Sequence, residues 1–255
     1  MSRTSIRRVA SVAAAPLVLF GCATRYVEQP LETPRGQIAA RPGRPGFVVA
    51  APHGSSDART AEIAAEVARR TGFGLVVASG FELAADRGER PGRRYQVNRP
   101  FEGTPSRPAA EDTTSDAARR VYDAHERRVL ETAQGPLRFY AEIHGNNRVE
   151  SAGRIEIATV GVDKEYAQRL RTLAELVRDA YLRGHTRVPR LEVVVEPADP
   201  VFYAASGAKR DGILKLPERA LHIELPRVAR VEHGPLYTAI VADFVAQAVA
   251  LPRGR

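Results

Sequence analysis

One cysteine, one methionine and no tryptophan stand in 255 residues. With Cys22 the sole thiol, no disulfide can form within the chain. Lysine is scarce as well: 35 of the 38 basic residues are arginine, a coding bias that carries no functional message. No basic run is interleaved with aromatics, and no nucleic-acid-binding motif accompanies the net charge of +8, so nucleic acid is not an expected partner. No internal repeat is visible. Hydrophobic residues make up 44% and charged residues 27%, which excludes a collagen, a coiled coil or a wholly disordered chain.

The first residues carry a message of their own. Arg3, Arg7 and Arg8 precede an apolar stretch, Val9–Phe20, broken by Ser11 and Pro16. The stretch is too short for a membrane span, which needs about 20 apolar residues, and has the length of a signal-peptide core. It ends in Leu19-Phe20-Gly21-Cys22, which resembles the bacterial lipobox, where a small residue precedes a cysteine that becomes lipidated. The expectation is a lipoprotein signal peptide over 1–21 and lipidation at Cys22. Localisation would then be the cell envelope, with a lipid anchor in the membrane and the protein facing the periplasm. Removing 1–21 takes away three arginines and no acid, leaving +5. Residues 22–46 hold Pro30, Pro34, Pro42 and Pro45 without periodicity, and read as a flexible tether.

The domain proper is expected over 47–252. Phe47–Ala51 is a continuous apolar run, as in a buried strand. Thr60–Arg70 places Ile63, Ala64, Val67 and Ala68 on one face and stops at Gly72, as a helix would. Leu75–Ala78 is a second buried strand, completing a βαβ unit. The stretch 80–108 reads as mostly loop. Helices are predicted over about Thr114–Thr132, Lys164–Arg183 and Leu236–Val249. Strands are predicted over Leu137–Ile143, Arg154–Val160, Leu191–Val195 and Ala220–Leu225. This alternation predicts an α/β fold, a three-layer domain with a mixed, largely parallel sheet.

Chemistry-bearing residues gather where the predicted strands end, the usual place for sites in open α/β sheets. His53-Gly54-Ser55-Ser56-Asp57 follows the first strand, and Glu142-Ile143-His144-Gly145 closes a later one. Two histidines and a carboxylate would supply three ligands to zinc and leave a fourth position open. Asp57 alone could instead cap the following helix. Glu224, between Ile223 and Leu225, would be partly desolvated and suited to general acid–base work, or could be an ion-pair partner of Arg227. His222 shares its strand face. Asn98-Arg99 on a loop could hold a substrate carboxylate through the planar guanidinium fork. Asn147 and Arg148, just after His144, are placed to line a pocket. His125 reads as solvated in an arginine-rich helix, His185 as a cation at a helix end, and His233 as a loop residue.

In this order, His-Gly with a nearby acid and a Thr-Ala-Glu helix, then Asn-Arg-Pro, then Ile-His-Gly, then a late Glu on a strand resemble the N-formylglutamate amidohydrolase family. Pro52–Gly80 is also similar to the phage-type poly-γ-glutamate hydrolases. The resemblance spans about 47–250, but only the four short motifs are specific. It implies a zinc carboxypeptidase-like (phosphorylase/hydrolase-like) fold, with Zn2+ held by His53, Asp57 and His144. It also implies Glu224 as acid/base and Arg99 as carboxylate clamp with Asn98 assisting. The wider pattern has a Glu where Ser56 stands, with Asp57 one residue later, so Glu62 is the alternative acidic ligand. The expected function is a zinc-dependent amidohydrolase cutting an amide next to a carboxylate, on N-acyl amino acids, γ-glutamyl amides or short peptides. The alternatives are a peptidoglycan amidase of related fold and a non-catalytic envelope-binding lipoprotein.

Overall fold

The computed structural model describes residues 31–33, 36–83 and 92–252. The leader and the expected lipidation site Cys22 lie outside the described residues. Among the described residues no helix is long and apolar enough to cross a membrane.

The strands are β1 (Leu31–Thr33), β2 (Gly36–Arg41), β3 (Arg44–Ala51), β4 (Phe73–Ser79), β5 (Glu82–Leu83), β6 (Arg93–Tyr95), β7 (Phe101–Gly103), β8 (Thr113–Thr114), β9 (Phe139–Asn146), β10 (Arg154–Val160), β11 (Glu192–Val195) and β12 (Arg219–Pro226). The helices are α1 (Thr60–Thr71), α2 (Asp116–Ala133), α3 (Lys164–Leu182), α4 (Ser206–Asp211) and α5 (Gly234–Ala248). Eight strands form one sheet in the order β1-β2-β4-β3-β9-β12-β10-β11, and β5 to β8 form a small antiparallel sheet. In the large sheet β4, β3, β9 and β12 run parallel, as do β10 and β11, whereas β10 opposes β12 and β2 opposes β4. The predicted α/β class and the mixed, largely parallel sheet are both present.

Side chains alternate across the strands with period two, and this sorts the core into two halves. Phe47, Val49 and Ala51 of β3, Ala141 and Ile143 of β9 and Leu221, Ile223 and Leu225 of β12 pack with α1, α3 and α5. Val48, Ala50, Tyr140 and Ala220 face the other way, toward α2. Helices α1, α2 and α3 are amphipathic for this reason. In α2, Ala118, Val121, Tyr122, Val129 and Ala133 are buried, and Ser115 caps its start by accepting from the Ala118 N–H. In α3, the Asp163 carboxylate accepts from the Tyr166 N–H in the same way.

Two expectations need correction. The tether predicted over 22–46 does not reach residue 46: β2 pairs with β4, and Ile38 is fully buried, so the domain begins before Phe47. Gly36–Arg41 escapes notice because Ile38 is its one large apolar side chain; the weak pattern becomes a strand only through its neighbour. The described part of 80–108 is mostly loop, as expected, with three short strands that join the small sheet. His125 is not solvated: it is fully buried on the inner face of α2.

Candidate metal centre and active-site cleft

The same alternation that builds the core assembles the site. On β9, Tyr140, Glu142 and His144 point to the α2 side; on β12, Ala220, His222 and Glu224 do. The parallel register sets Glu224 beside His144 and His222 beside Glu142. The antiparallel register of β10 continues the first row with Glu156 and the second with Ala158. Ala50 of β3 flanks Glu142 on the other side. Small alanines at both ends of the second row leave room for a charged pair in the middle of a sheet.

Those polar side chains form one connected network. Glu142 is fully buried, and its Oε2 lies 2.9 Å from His222 Nδ1, 3.2 Å from His144 Nε2 and 3.3 Å from the Asn98 Nδ2 that donates to it. Its Oε1 accepts from the Tyr140 hydroxyl at 3.2 Å. His222 Nε2 lies 3.1 Å from Glu224 Oε1. Burial alone would raise the Glu142 carboxyl, but hydrogen bonds from His144 and His222 outweigh it and hold it well below the usual range. Burial would lower His222, yet its bonds to Glu142 and Glu224 lift it to about 9. Glu224 is lowered: burial opposes ionisation, and the His222 hydrogen bond prevails. His222 is therefore a cation between two carboxylates.

His53 and Asp57 approach from the loop after β3. The His53 ring stands edge-on to His144, centroids 5.2 Å apart, and His144 lies 4.1 Å from His222, centroid to centroid. Burial, then the neighbouring His144, keeps His53 well below its ordinary pKa, so the imidazole is neutral with a free lone pair. Asp57 does not cap α1; its Oδ2 accepts from the Gly145 N–H at 3.0 Å and stands 3.9 Å from His144 Nδ1. Burial raises its carboxyl. Glu62, the alternative acid, pairs with Arg59 at 2.6 Å on the exposed face of α1.

His53, Asp57, Asn98, Arg99, His144, Arg148, His222 and Glu224 all line one cleft of 640 Å³. Arg99 has no ion-pair partner among the described residues, and its Nε is buried without a hydrogen bond. Arg94, on the same wall, is committed to Asp112 at 2.7 Å. Arg148 lies over Phe202, 4.5 Å from the ring centroid, and 5.7 Å from that of Tyr203. The backbone N–H groups of Phe202 and Tyr203 donate to the buried Glu156 at 2.7 and 3.0 Å, which fixes that wall. Glu224 pairs with His222 rather than with Arg227.

The cleft offers donors suited to a metal. Three imidazoles and two carboxylates converge, Glu224 Oε2 is buried with no partner, and no hydrogen bond occupies the His53 ring among the described residues. Neutral imidazole with carboxylate is a zinc-type donor set. Ligand atoms of Glu142, His144 and His222 lie within 4.8 Å of one another, a tighter group that shares only His144 with the expected set. Sequence reasoning missed Glu142 as a participant, although its place two residues before His144 on a strand puts both on one face.

No family model matches the chain. No curated protein matches its sequence either. Solved structures with a similar fold include the following three. A bacteriophage poly-gamma-glutamate hydrolase is 11% identical, with 86% of this chain and 91% of that chain covered and a TM-score of 0.48. A metallo-carboxypeptidase from Burkholderia cenocepacia is 13% identical, with 88% and 65% covered and a TM-score of 0.43. An aspartoacylase family protein from Mesorhizobium loti is 13% identical, with 86% and 63% covered and a TM-score of 0.38. These likenesses concern the course of the chain and assign no residue a role.

Proposed function

We propose that this protein is a metal-dependent amidohydrolase that cleaves an amide bond adjacent to a carboxylate. The observation that carries the reading is the pairing, across one cleft, of an ionised carboxylate and a guanidinium, the first with a buried oxygen that has no partner and the second with no ion-pair partner among the described residues. The first is Glu224, set among His53, Asp57 and His144; the second is Arg99. The proposed ligands are His53, Asp57 and His144. Glu142 accepts from His144 Nε2, which leaves the Nδ1 lone pair facing Asp57 and the cleft. Glu142 itself is fully buried and does not line the cleft. A zinc ion held there would supply Lewis acidity toward a carbonyl and toward water.

The chain's own residues supply the rest. Glu224 takes a proton from the attacking water at Oε2 and returns it to the departing amine. Charged His222 holds Glu224 ionised and fixes the direction of its free oxygen. Arg99 grips the substrate carboxylate and so sets the scissile bond in register, which turns binding energy into orientation. Asn98 is fixed by its bond to Glu142 and keeps its Oδ1 free for a substrate N–H. Arg148, backed by Phe202, forms the facing wall.

The test is a hydrolysis screen of formyl-amino acids, γ-glutamyl peptides and peptidoglycan fragments, with and without a chelator, on wild type and Glu224→Gln. The expected result is chelator-sensitive turnover that drops by roughly 10²–10⁴-fold in Glu224→Gln with metal content unchanged. Turnover indifferent to both chelator and substitution would overturn the reading.

A further inference from the structure

Arg230 is 2% exposed and lies in the π-helical turn Val228–Glu232 that follows β12. It has no carboxylate partner among the described residues. Its guanidinium is given over to oxygens at the ends of three separate strands or their loops. Nε donates to the Leu225 carbonyl at 3.0 Å, one Nη to Ala58 O at 2.6 Å, and the other to Asn146 O at 3.2 Å and Asn147 Oδ1 at 3.3 Å. Ala58 follows Asp57, Leu225 follows Glu224, and Asn146 stands two residues after His144. One side chain therefore ties together the three backbone segments that present the carboxylate ligand, the imidazole ligand and the acid/base.

Only arginine has the shape for this. Its five N–H donors radiate in a plane, whereas lysine offers a point charge on a flexible stem. The plane needs a flat floor, and Gly145 provides it: a Cβ there would stand 2.3 Å from the guanidinium carbon and 2.6 Å from Nε. The Gly145 N–H meanwhile donates to Asp57 Oδ2, so the same glycine touches both the clamp and a proposed ligand. A π-helical turn, with its widened backbone, recurs at functional sites.

We propose that Arg230 is the positioning residue of the metal centre: it sets the separation of Asp57, His144 and Glu224 by clamping the chain just beyond each of them. The inference rests on the metal reading above. It predicts that loosening the clamp changes the coordination geometry, not merely the stability of the fold.

The experiment uses the full chain as wild type, Arg230→Lys, Arg230→Met and Gly145→Ala, with Leu170→Ala as a control that weakens the core at α3. Folding is followed by circular dichroism and thermal unfolding. Zinc affinity is measured by competition with a chromophoric chelator, and cobalt(II) is added to read ligand geometry from its visible absorption. The expected result is folded variants with zinc affinity lowered by about 10–100-fold, the range seen when groups that orient ligands are lost, and a shifted cobalt band. Gly145→Ala keeps the arginine and should show the same shift if Arg230 variants fail to fold. Leu170→Ala should lose thermal stability but keep affinity and band. Wild type that binds neither metal overturns the metal reading and this inference with it. Wild type that binds, alongside clamp variants with unchanged affinity and spectrum, overturns the inference alone. So does a Leu170→Ala control that loses affinity in step with stability.

Discussion

His222 Nδ1 lies 2.9 Å from Glu142 Oε2, and the two side chains sit directly opposite each other on parallel neighbours, β12 and β9. In the apolar middle of a sheet, neither would be tolerated alone. A single unpaired buried charge is costly, whereas a hydrogen-bonded pair relieves much of that cost. The pair then passes its order outward, through His222 to Glu224 and through Glu142 to His144.

Glu142→Gln follows from that arrangement. The amide places an N–H₂ where Glu142 now presents a second acceptor, so it cannot serve His144, His222, Asn98 and Tyr140 together. We expect a loss of about 3–5 kcal/mol in unfolding free energy, the scale for breaking one side of a buried ion pair. Zinc affinity should fall by about 10–100-fold, as for an orienting carboxylate. Urea unfolding and chelator competition read the two effects. Complete loss of metal would instead make Glu142 a ligand, in the donor group with His144 and His222; unchanged affinity would remove it from the site.

The buried His125 sets a pH dependence of its own, separate from that of the cleft residues. Burial, the dominant influence, lowers its pKa to about 4 from the 6.5 of a free imidazole. Between those values the unfolded chain binds a proton that the fold excludes. Stability is therefore full above pH 6.5 and is lost as pH falls toward 4, by roughly 3 kcal/mol for this group. In His125→Leu that part of the slope should vanish, while Tyr140 keeps its bond to Glu142. Unfolding measured at pH 7, 5.5 and 4.5 checks this. Curves of the two proteins that run parallel would contradict it. Carboxylates such as Glu66, held at about 2 by Arg69 and Arg70, act in both proteins and cancel in the difference.

Much of this architecture was legible in the residues. His53, His144 and Glu224 each stand at the end of an apolar run, and apolar runs of four to eight residues mark buried strands. The strand ends then place them at one edge of the sheet. What periodicity does not give is which strands are neighbours. β9 and β12 pair across α3 and β11, so the contact of Glu142 with His222 depends on topology rather than on local pattern. His125 was within reach of the pattern, since Val121, Tyr122 and Val129 lie three or four residues from it on a buried helix face. The surrounding arginines masked that stripe. Arg230 had no such signal: one arginine among 35 acquires its role only when three strand ends meet around it.

Arg99 offers the sharpest separation of binding from chemistry. It lines the cleft without an ion-pair partner among the described residues, it is partly buried, and Gly207 and Gly212 pack closely against its side chain. A guanidinium so held can grip a carboxylate in bidentate fashion. Arg99→Met should raise KM for a carboxylate-bearing amide by about 10–100-fold, the loss of one charge-assisted contact worth roughly 1.5–3 kcal/mol. Zinc affinity should not fall, because Arg99 bonds none of the proposed ligands and its charge, felt at His53, opposes a cation there. Arg99→Lys should fall between, since a point charge replaces a fork. The decisive comparison pairs each protein with a substrate and its carboxamide analogue. If Arg99 is the clamp, wild type discriminates strongly between the two and Arg99→Met hardly at all. Equal discrimination by both would mean that the carboxylate is read by another group, with Arg148 on the facing wall the next to test.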